Sequence, residues 1–210
     1  MKLLHIDSSI SGQASASRQL TRQIVDRLVQ SDPALAVTYR DLDREPLPHL
    51  DSNHLAGMAP GAATGETTRQ ELAASAAALE EFLAADVVVI GAPMYNFTVS
   101  SQLKAWIDRI LVAGKTFSYT AEGPKGLAGG KRVIIASSRG GIYASDTAMA
   151  AMDFQETYLR AVFRFIGIDR IEFVRAEGVA FGPEQRETAL KNAFESFRVV
   201  AATIAPAKVA

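Results

Sequence analysis

Cysteine is absent from this 210-residue chain, and its absence excludes several kinds of chemistry at once. Without thiols the chain can form no disulfide, no thiolate metal site, no CxxC redox pair and no cysteine nucleophile of the phosphatase type. A chain free of cysteine suits a reducing compartment, and we expect a cytoplasmic protein. No metal site is predicted.

Excess charge and long apolar runs are also lacking. The 22 basic and 23 acidic side chains leave a net charge of −1, with no basic stripe, so no nucleic-acid partner is expected. No apolar run approaches the roughly 18 residues of a membrane span, so no membrane partner is expected. The first residues, MKLLHID, meet a charge at Asp7 and are predicted to form a strand, not a signal peptide.

Short apolar runs alternate with longer amphipathic stretches. Residues 87–90 and 133–136 are continuous runs rich in Val and Ile, which is typical of strands buried on both faces of a parallel sheet. Residues 3–6 and 36–39 are two further candidates, and the charged run at 171–174 is predicted to be an edge strand. Five strands alternating with helices predict an α/β fold, a doubly wound parallel sheet with helices on both faces in one domain over 1–210.

The helices between these strands are predicted from apolar stripes that should face the core. The stripes are Leu20, Ile24 and Leu28; Leu72, Ala76, Leu79 and Leu83; Val99, Leu103, Trp106, Ile107, Ile110 and Leu111; Met149, Met152, Leu159, Phe163 and Ile166; and Leu190, Phe194, Phe197, Ala201 and Ile204. Residues 51–70 and 115–130 are predicted to be loops, of the kind that act as lids or interfaces.

The first polar strand exit is SSISGQASASRQL, residues 8–20. Ser9, Ser15 and Ser17 offer hydroxyls, the start of the following helix offers free N–H groups, and Arg18 adds a nearby cation. These groups could hold a phosphate, or Ser could simply cap the helix. GxGxxG and Walker A motifs are absent, which argues against a dinucleotide fingerprint or a P-loop.

The second exit, GAPMYNF, places Met94, Tyr95, Asn96 and Phe97 directly before a helix, with Thr98 as the expected N-cap. Such a loop could bond the polar edge of a flat heterocycle, or it could form a hydrophobic plug over the core. The third exit, SSRGG, supplies Ser138, Arg139, Gly140 and Gly141. Its two glycines indicate either that the backbone closely approaches a ligand or that the chain simply makes a glycine turn.

These three exits become neighbours in the flavodoxin-type strand order 2-1-3-4-5, where ligands bind beyond the carboxyl ends of the strands. One exit offers hydrogen-bond donors for a phosphate, and the other two offer contacts for a flat ring. Together they would suit a mononucleotide with a large planar ring. FMN is the natural candidate.

The chain resembles, along almost its whole length, the FMN-dependent NADH:quinone oxidoreductases, also known as FMN-dependent NADH-azoreductases. The resemblance rests on six motifs: SS followed by S-x-S at 15–17, PMYNF at 93–97, LKAWIDRI at 103–110, GKTFSYTAEGPKGL at 114–127, SRGG at 138–141 and AEGVAFGPE at 176–184. Some members carry His where Tyr143 stands here, so no role is assigned to that position.

The family's FMN contacts carry over to matching positions. The resemblance implies phosphate-side contacts from Ser9, Ser15, Ala16 and Ser17, and ring contacts from Met94, Tyr95, Asn96, Phe97, Ser138, Arg139, Gly140 and Gly141. It also implies a flavodoxin-like fold, a homodimer with active sites at the subunit interface, and a substrate cleft shaped by Phe117, Tyr119 and Phe165.

The implied reaction is ping-pong, two-electron hydride transfer from NADH through FMN N5 to quinones, with reductive cleavage of aromatic azo compounds to amines in two rounds. No catalytic side chain is expected, since the cofactor carries the chemistry. A flavodoxin-like electron carrier, a flavoenzyme reducing nitro compounds or chromate, and a serine hydrolase are the alternatives. The hydrolase is the most distant because the chain lacks a GxSxG elbow.

Overall fold

The computed structural model describes residues 1–59, 61–144 and 146–202, with side chains described as far as residue 197. Its strands and helices, in chain order, are β1 Lys2–Asp7, α1 Ala16–Ser31, β2 Ala36–Asp41, α2 Ser52–Gly57, α3 Glu66–Ala84, β3 Val87–Pro93, α4 Ser101–Ile110, β4 Phe117–Thr120, β5 Gly123–Gly126, β6 Arg132–Ser138, α5 Phe154–Phe165, β7 Arg170–Ala176 and α6 Pro183–Ala202. Short 3-10 turns cover Gly12–Ala14 and Ala150–Met152.

Five parallel strands form one sheet in the order β2-β1-β3-β6-β7. Counted along the chain, this is the predicted order 2-1-3-4-5, and β7 lies at an edge as expected. All seven residues of β3 and of β6 are buried, which explains why their sequences show no alternation of apolar and polar residues. The predicted fold class is confirmed.

Apolar side chains fill the space on both faces of the sheet. On one face α3, α4 and α5 contribute Phe82, Trp106 and Phe163, and the rings of Phe82 and Trp106 meet edge to face at 5.7 Å. On the other face α1 and α6 contribute Leu20, Ile24 and Phe197. Layers of helices therefore cover the whole sheet and leave its strand ends as the place where loops can form a site.

Four local predictions were wrong. Residues 51–70 are not one loop, because they contain α2 and the start of α3, and 115–130 contain the antiparallel hairpin β4–β5. The buried side chains of α3 are Ala78 and Phe82, whereas Leu83 is exposed. Met149 is 41% exposed and precedes α5, so it lies outside the core.

The last predicted stripe is only partly described. Phe197 is fully buried and Leu190 and Phe194 pack against the core, while Ala201 and Ile204 lie outside the residues whose side chains are described. Within the described ranges, no helix is both long enough and apolar enough to cross a lipid bilayer.

Candidate functional site

Three adjacent strands, β1, β3 and β6, end at the same edge of the sheet. Asp7 pairs with Gly91, and Pro93 pairs with Ser138, so the loops that follow leave the sheet side by side. A cavity of about 180 Å³ lies among them. It is lined by Ser9, Ser11, Ala14, Ser15, Ala16, Pro93, Met94, Tyr95, Ser138, Gly140, Val179 and Arg186. The structure thus brings the three exits together at the carboxyl edge of the sheet, where open α/β sheets bind ligands.

The loop after β1 presents donors to this cavity at the start of α1. Ser15 caps the helix, and its hydroxyl accepts a 3.2 Å hydrogen bond from the Arg18 N–H and lies 3.1 Å from the Ser17 hydroxyl. The N–H groups of Ala16 and Ser17 belong to the first turn, where helix geometry provides no carbonyl partner. Free N–H groups and hydroxyls at a helix start suit an anion such as a phosphate.

The loop after β3 is a tight two-residue turn. The N–H of Tyr95 donates to the Thr98 carbonyl at 2.9 Å, and the N–H of Thr98 donates back to the Tyr95 carbonyl at 3.1 Å. Between them Asn96 and Phe97 have φ angles of 48° and 71°. Two successive left-handed residues that are not glycine store strain, which is typical of positions where a loop is held for a ligand.

This turn does not cap the helix that follows it. The N-cap of α4 is Ser100, whose hydroxyl accepts from the Leu103 N–H at 3.2 Å, so the prediction of Thr98 was wrong. Thr98 closes the turn with Tyr95 instead. Phe97 is left 39% exposed, and Asn96 lines a second groove together with Tyr95, Thr98 and Tyr158.

The loop after β6 contributes backbone more than side chains. The N–H of Met94 donates to the Ser138 carbonyl at 2.8 Å and ties the second exit to the third. Gly140 lines the cavity, whereas a Cβ on Gly141 would lie 3.2 Å from the ring of Tyr143. Neither glycine has a positive φ angle, so the turn geometry alone does not require them.

The side chain of Arg139 faces away from the cavity. It is almost fully buried, and its guanidinium forms ion pairs with Glu156 at 2.6 Å, Asp153 at 2.9 Å and Glu177 at 3.2 Å. The guanidinium is therefore not available for the expected polar contact with the edge of a bound ring system. Through these ion pairs Arg139 instead stabilises the SRGG loop.

The guanidinium of Arg18 is also bound by groups within the protein. Its guanidinium makes two 2.6 Å hydrogen bonds to Asp41 and donates to the Ser9 carbonyl at 2.8 Å. These hydrogen bonds hold the pKa of the Asp41 carboxyl at about 2 and raise the pKa of Arg18. Arg18 is not free to bind a phosphate, and its contact with Ser9 supports the loop instead.

The three aromatic residues expected at the substrate cleft form their own cluster. The Phe117 ring lies 4.8 Å from the Phe165 ring and 5.4 Å from the Tyr119 ring, and Tyr119 is 76% exposed. Phe165 ends α5 close to the start of β7, at the amino edge of the sheet. Seven-residue strands span on the order of 20 Å, so this aromatic cluster lies far from the cavity within one chain.

Five residues that line the cavity were not among the predicted contacts. Ser11, Ala14 and Pro93 lie within the predicted strand exits, whereas Val179 and Arg186 lie outside all three. Both follow β7, in or just after the AEGVAFGPE motif. The chain there pairs with the SRGG loop, because Val179 N–H donates to the Arg139 carbonyl at 3.1 Å and Ala180 N–H donates to the Gly140 carbonyl at 3.2 Å. The motif itself was visible in the sequence, but its pairing partner was not.

The chain matches the family described as having a flavodoxin-like fold over residues 1–200. It is 62% identical over 196 residues to FMN-dependent NADH:quinone oxidoreductase 2 of Bradyrhizobium diazoefficiens, covering 93% of this chain and 96% of that protein. It is 56% identical over 193 residues to FMN-dependent NADH:quinone oxidoreductase 1 of Xanthomonas axonopodis, covering 92% and 93% of the two chains.

A solved structure is also similar to this chain over nearly its whole length. The FMN-dependent NADH-azoreductase of Bacillus anthracis in complex with FMN superposes with a TM-score of 0.87 at 25% identity, covering 98% of this chain and 99% of that one. Sequence and structure agree over nearly the full length of both proteins. The chain therefore belongs to the flavodoxin-like fold family, among the relatives of the FMN-dependent NADH:quinone oxidoreductases and azoreductases.

Proposed function

We propose that this chain is an FMN-dependent oxidoreductase that transfers electrons from NADH to quinones and reduces aromatic azo compounds to amines. The observation that carries the proposal is the single cavity in which the Ser9–Ser17 loop, the Met94–Phe97 turn and the Ser138–Gly141 loop meet. The relatives named as FMN-dependent NADH:quinone oxidoreductases support the same conclusion.

The residues present fit FMN by the chemistry of their donors. One end of the cavity offers helix N–H groups and serine hydroxyls, which suit a phosphate. The other end offers Met94, Tyr95 and a loop without a side chain at Gly140, which suit a flat ring system. We assign the twelve residues predicted from the family to this cofactor, with the contribution of Arg139 limited to its backbone.

Bound FMN would supply alternating two-electron exchange with NADH and then with a quinone through one pocket, and an azo bond would need two such rounds. The chain's own part is to hold that pocket in place. The Gln155 side chain, buried beneath it, donates to the Ala92 carbonyl at 2.9 Å and accepts from the Ser137 hydroxyl at 2.9 Å. The ends of β3 and β6 are thereby fixed relative to each other, and no side-chain nucleophile is required.

A homodimer belongs to this proposal. Phe117, Tyr119 and Phe165 cannot shape a cleft over the cavity of their own chain, because they lie at the opposite edge of the sheet. A second copy could bring its aromatic cluster to the cavity of the first, which would place each active site between two subunits. The oxidation of NADH requires access to the cell's nicotinamide pool, and we therefore retain a cytoplasmic location.

The proposal is tested by adding FMN to purified protein and following NADH oxidation with a small quinone, then with an azo dye, a nitroaromatic compound and chromate. We expect flavin absorbance to stay with the protein and NADH to be consumed with the quinone without any protein partner. A flavodoxin-like carrier would bind FMN but oxidise no NADH under these conditions. The proposal would be overturned if the purified protein did not bind added FMN.

A further inference from the structure

Three arginines lie on or next to the loops that form the cavity, and they differ in what their guanidinium groups bind. Arg18 is bound by Asp41, and Arg139 is bound by Glu156 and two further carboxylates. Their positive charges are therefore already compensated within the protein. A phosphate placed in the cavity would meet little net positive charge from either of them.

Arg186 is the third, and its side chain is not compensated in the same way. Its guanidinium donates a 2.5 Å hydrogen bond to the carbonyl of Ala14, which precedes the start of α1. No carboxylate lies within 4.0 Å of it among the described parts of the chain. It also lines the cavity together with Ser9, Ser15 and Ala16.

The fold positions Arg186 through contacts distant in sequence. After β7 the Gly178 N–H donates to the Gly141 carbonyl at 2.8 Å, and the chain then pairs with the rest of the SRGG loop. Gly182 has a φ of +118° and accepts from the Arg186 N–H at 3.0 Å as α6 begins. The AEGVAFGPE motif thereby fixes the first turn of α6 above the cavity.

We infer that Arg186 is the cation that binds the phosphate group of FMN, an inference that rests on the proposed function. Serine hydroxyls and helix N–H groups give the phosphate hydrogen bonds but only partial charges. An arginine without a carboxylate partner adds a full charge and a planar donor group that matches phosphate oxygens. The same residue would make the cavity prefer FMN to riboflavin, which has the same ring system and no phosphate.

The test compares FMN and riboflavin binding in wild-type protein, Arg186→Gln, Arg186→Lys and Arg170→Gln. Flavin fluorescence gives each dissociation constant without relying on turnover. Arg170 is exposed at the opposite edge of the sheet, so its variant makes the same change in net charge away from the cavity. Thermal unfolding of each apoprotein verifies that the variants fold.

We expect Arg186→Gln to weaken FMN binding by roughly 10- to 100-fold, as loss of a charge-assisted hydrogen bond does, and to leave riboflavin binding unchanged. Arg186→Lys should lie between wild type and Arg186→Gln, and Arg170→Gln should match wild type. The FMN affinity of wild type should also fall more steeply with added salt than that of Arg186→Gln.

Unchanged FMN affinity in Arg186→Gln would overturn the inference while leaving the proposed function intact. Equal losses for FMN and riboflavin would also overturn it, because the side chain would then act on the fold and not on the phosphate. Wild-type protein that binds neither flavin would overturn the proposed function itself. The two failures are therefore distinguishable.

Discussion

The hydroxyl of Tyr95 lies 3.1 Å from the hydroxyl of Ser9, although the two residues are 86 positions apart in the chain. The Tyr95 hydroxyl also accepts a 3.2 Å hydrogen bond from the N–H of Ile10. This pair joins the loop after β1 to the turn after β3. The hydroxyl of Tyr95 therefore connects the phosphate end of the proposed cofactor site to its ring end.

A double-mutant cycle on Tyr95→Phe and Ser9→Ala tests whether this contact shapes the site. Tyr95→Phe should weaken FMN binding by roughly 3- to 10-fold, since it removes a hydrogen bond to a neutral group. Ser9→Ala should weaken it by at least as much, because the same hydroxyl is also assigned to the phosphate. The double variant should lose less than the product of the two effects, because both changes remove the same contact. Fluorescence titration with FMN gives the three values. Fully multiplicative effects would mean that the two hydroxyls act independently.

Gly140 offers a direct test of where the flat ring lies. A Cβ there would meet only the Cβ of Ala180, at an ordinary 3.4 Å, and the backbone φ is not positive, so Gly140→Leu should fold. Its side chain would occupy the cavity, and we expect flavin affinity to fall at least about 10-fold. Gly65→Ala is the control, because its φ is −67° and nothing lies within 4 Å of its Cβ. Normal flavin binding by Gly140→Leu would place the ring elsewhere.

The composite site can be tested with mixed dimers. Gly140→Leu should lack flavin, and Tyr119→Asp should place a charge in the aromatic cluster that the proposed dimer sets against the neighbouring subunit's cavity. When the two variants are unfolded and refolded together, up to about a quarter of the sites should combine two native faces. NADH oxidation with a quinone should then exceed the sum of the two variants refolded separately. Activity equal to that sum would mean that each chain builds its site alone.

Buried His54 on α2 predicts a pH dependence of stability. Burial, followed by the positive charge of Arg109, lowers the pKa of His54 below its usual value of 6.5. The unfolded chain therefore takes up this proton more readily than the folded chain. The contribution to stability is complete above the unfolded pKa and is lost as the pH falls through the lower folded pKa.

Urea unfolding between about pH 5 and pH 8 should show this loss in wild-type protein and in His49→Gln, since His49 is exposed. In His54→Gln the free energy of unfolding should depend less on pH over that range. An identical pH dependence in the two variants would show that other groups are responsible.

Much of the fold could be predicted because its signals are local. The runs at 87–90 and 133–136 indicate buried strands by composition alone, and α4 follows its predicted stripe with Leu103, Trp106 and Ile107 buried. The stripe on α3 was misassigned because both faces of that helix carry Ala and Leu. Which of them faces the sheet depends on the fit of Phe82 against Trp106.

The candidate site could likewise be predicted only in part from the sequence. Ser9, Ser15, Met94 and Tyr95 were predicted from their positions at strand ends, and all four line one cavity. Ser17, Asn96 and Phe97 were predicted in the same way but are not among its lining residues. The roles of the arginines could not be found. Arg18 and Arg139 look available in the sequence, yet each is bound by carboxylates supplied by other elements, Asp41 on β2 for Arg18 and Glu156 on α5 for Arg139.

The sequence by itself determined the five strands of the parallel sheet, the five long helices and the three polar strand exits, because hydrophobic periodicity and strand-end composition act over a few residues. Only the tertiary structure decided which charges remain uncompensated at the cavity. Arg186 reaches the Ala14 carbonyl across 172 positions of the chain. The direction of a side chain depends on the partners that folding brings to it, and those partners are set by the packing of the whole sheet.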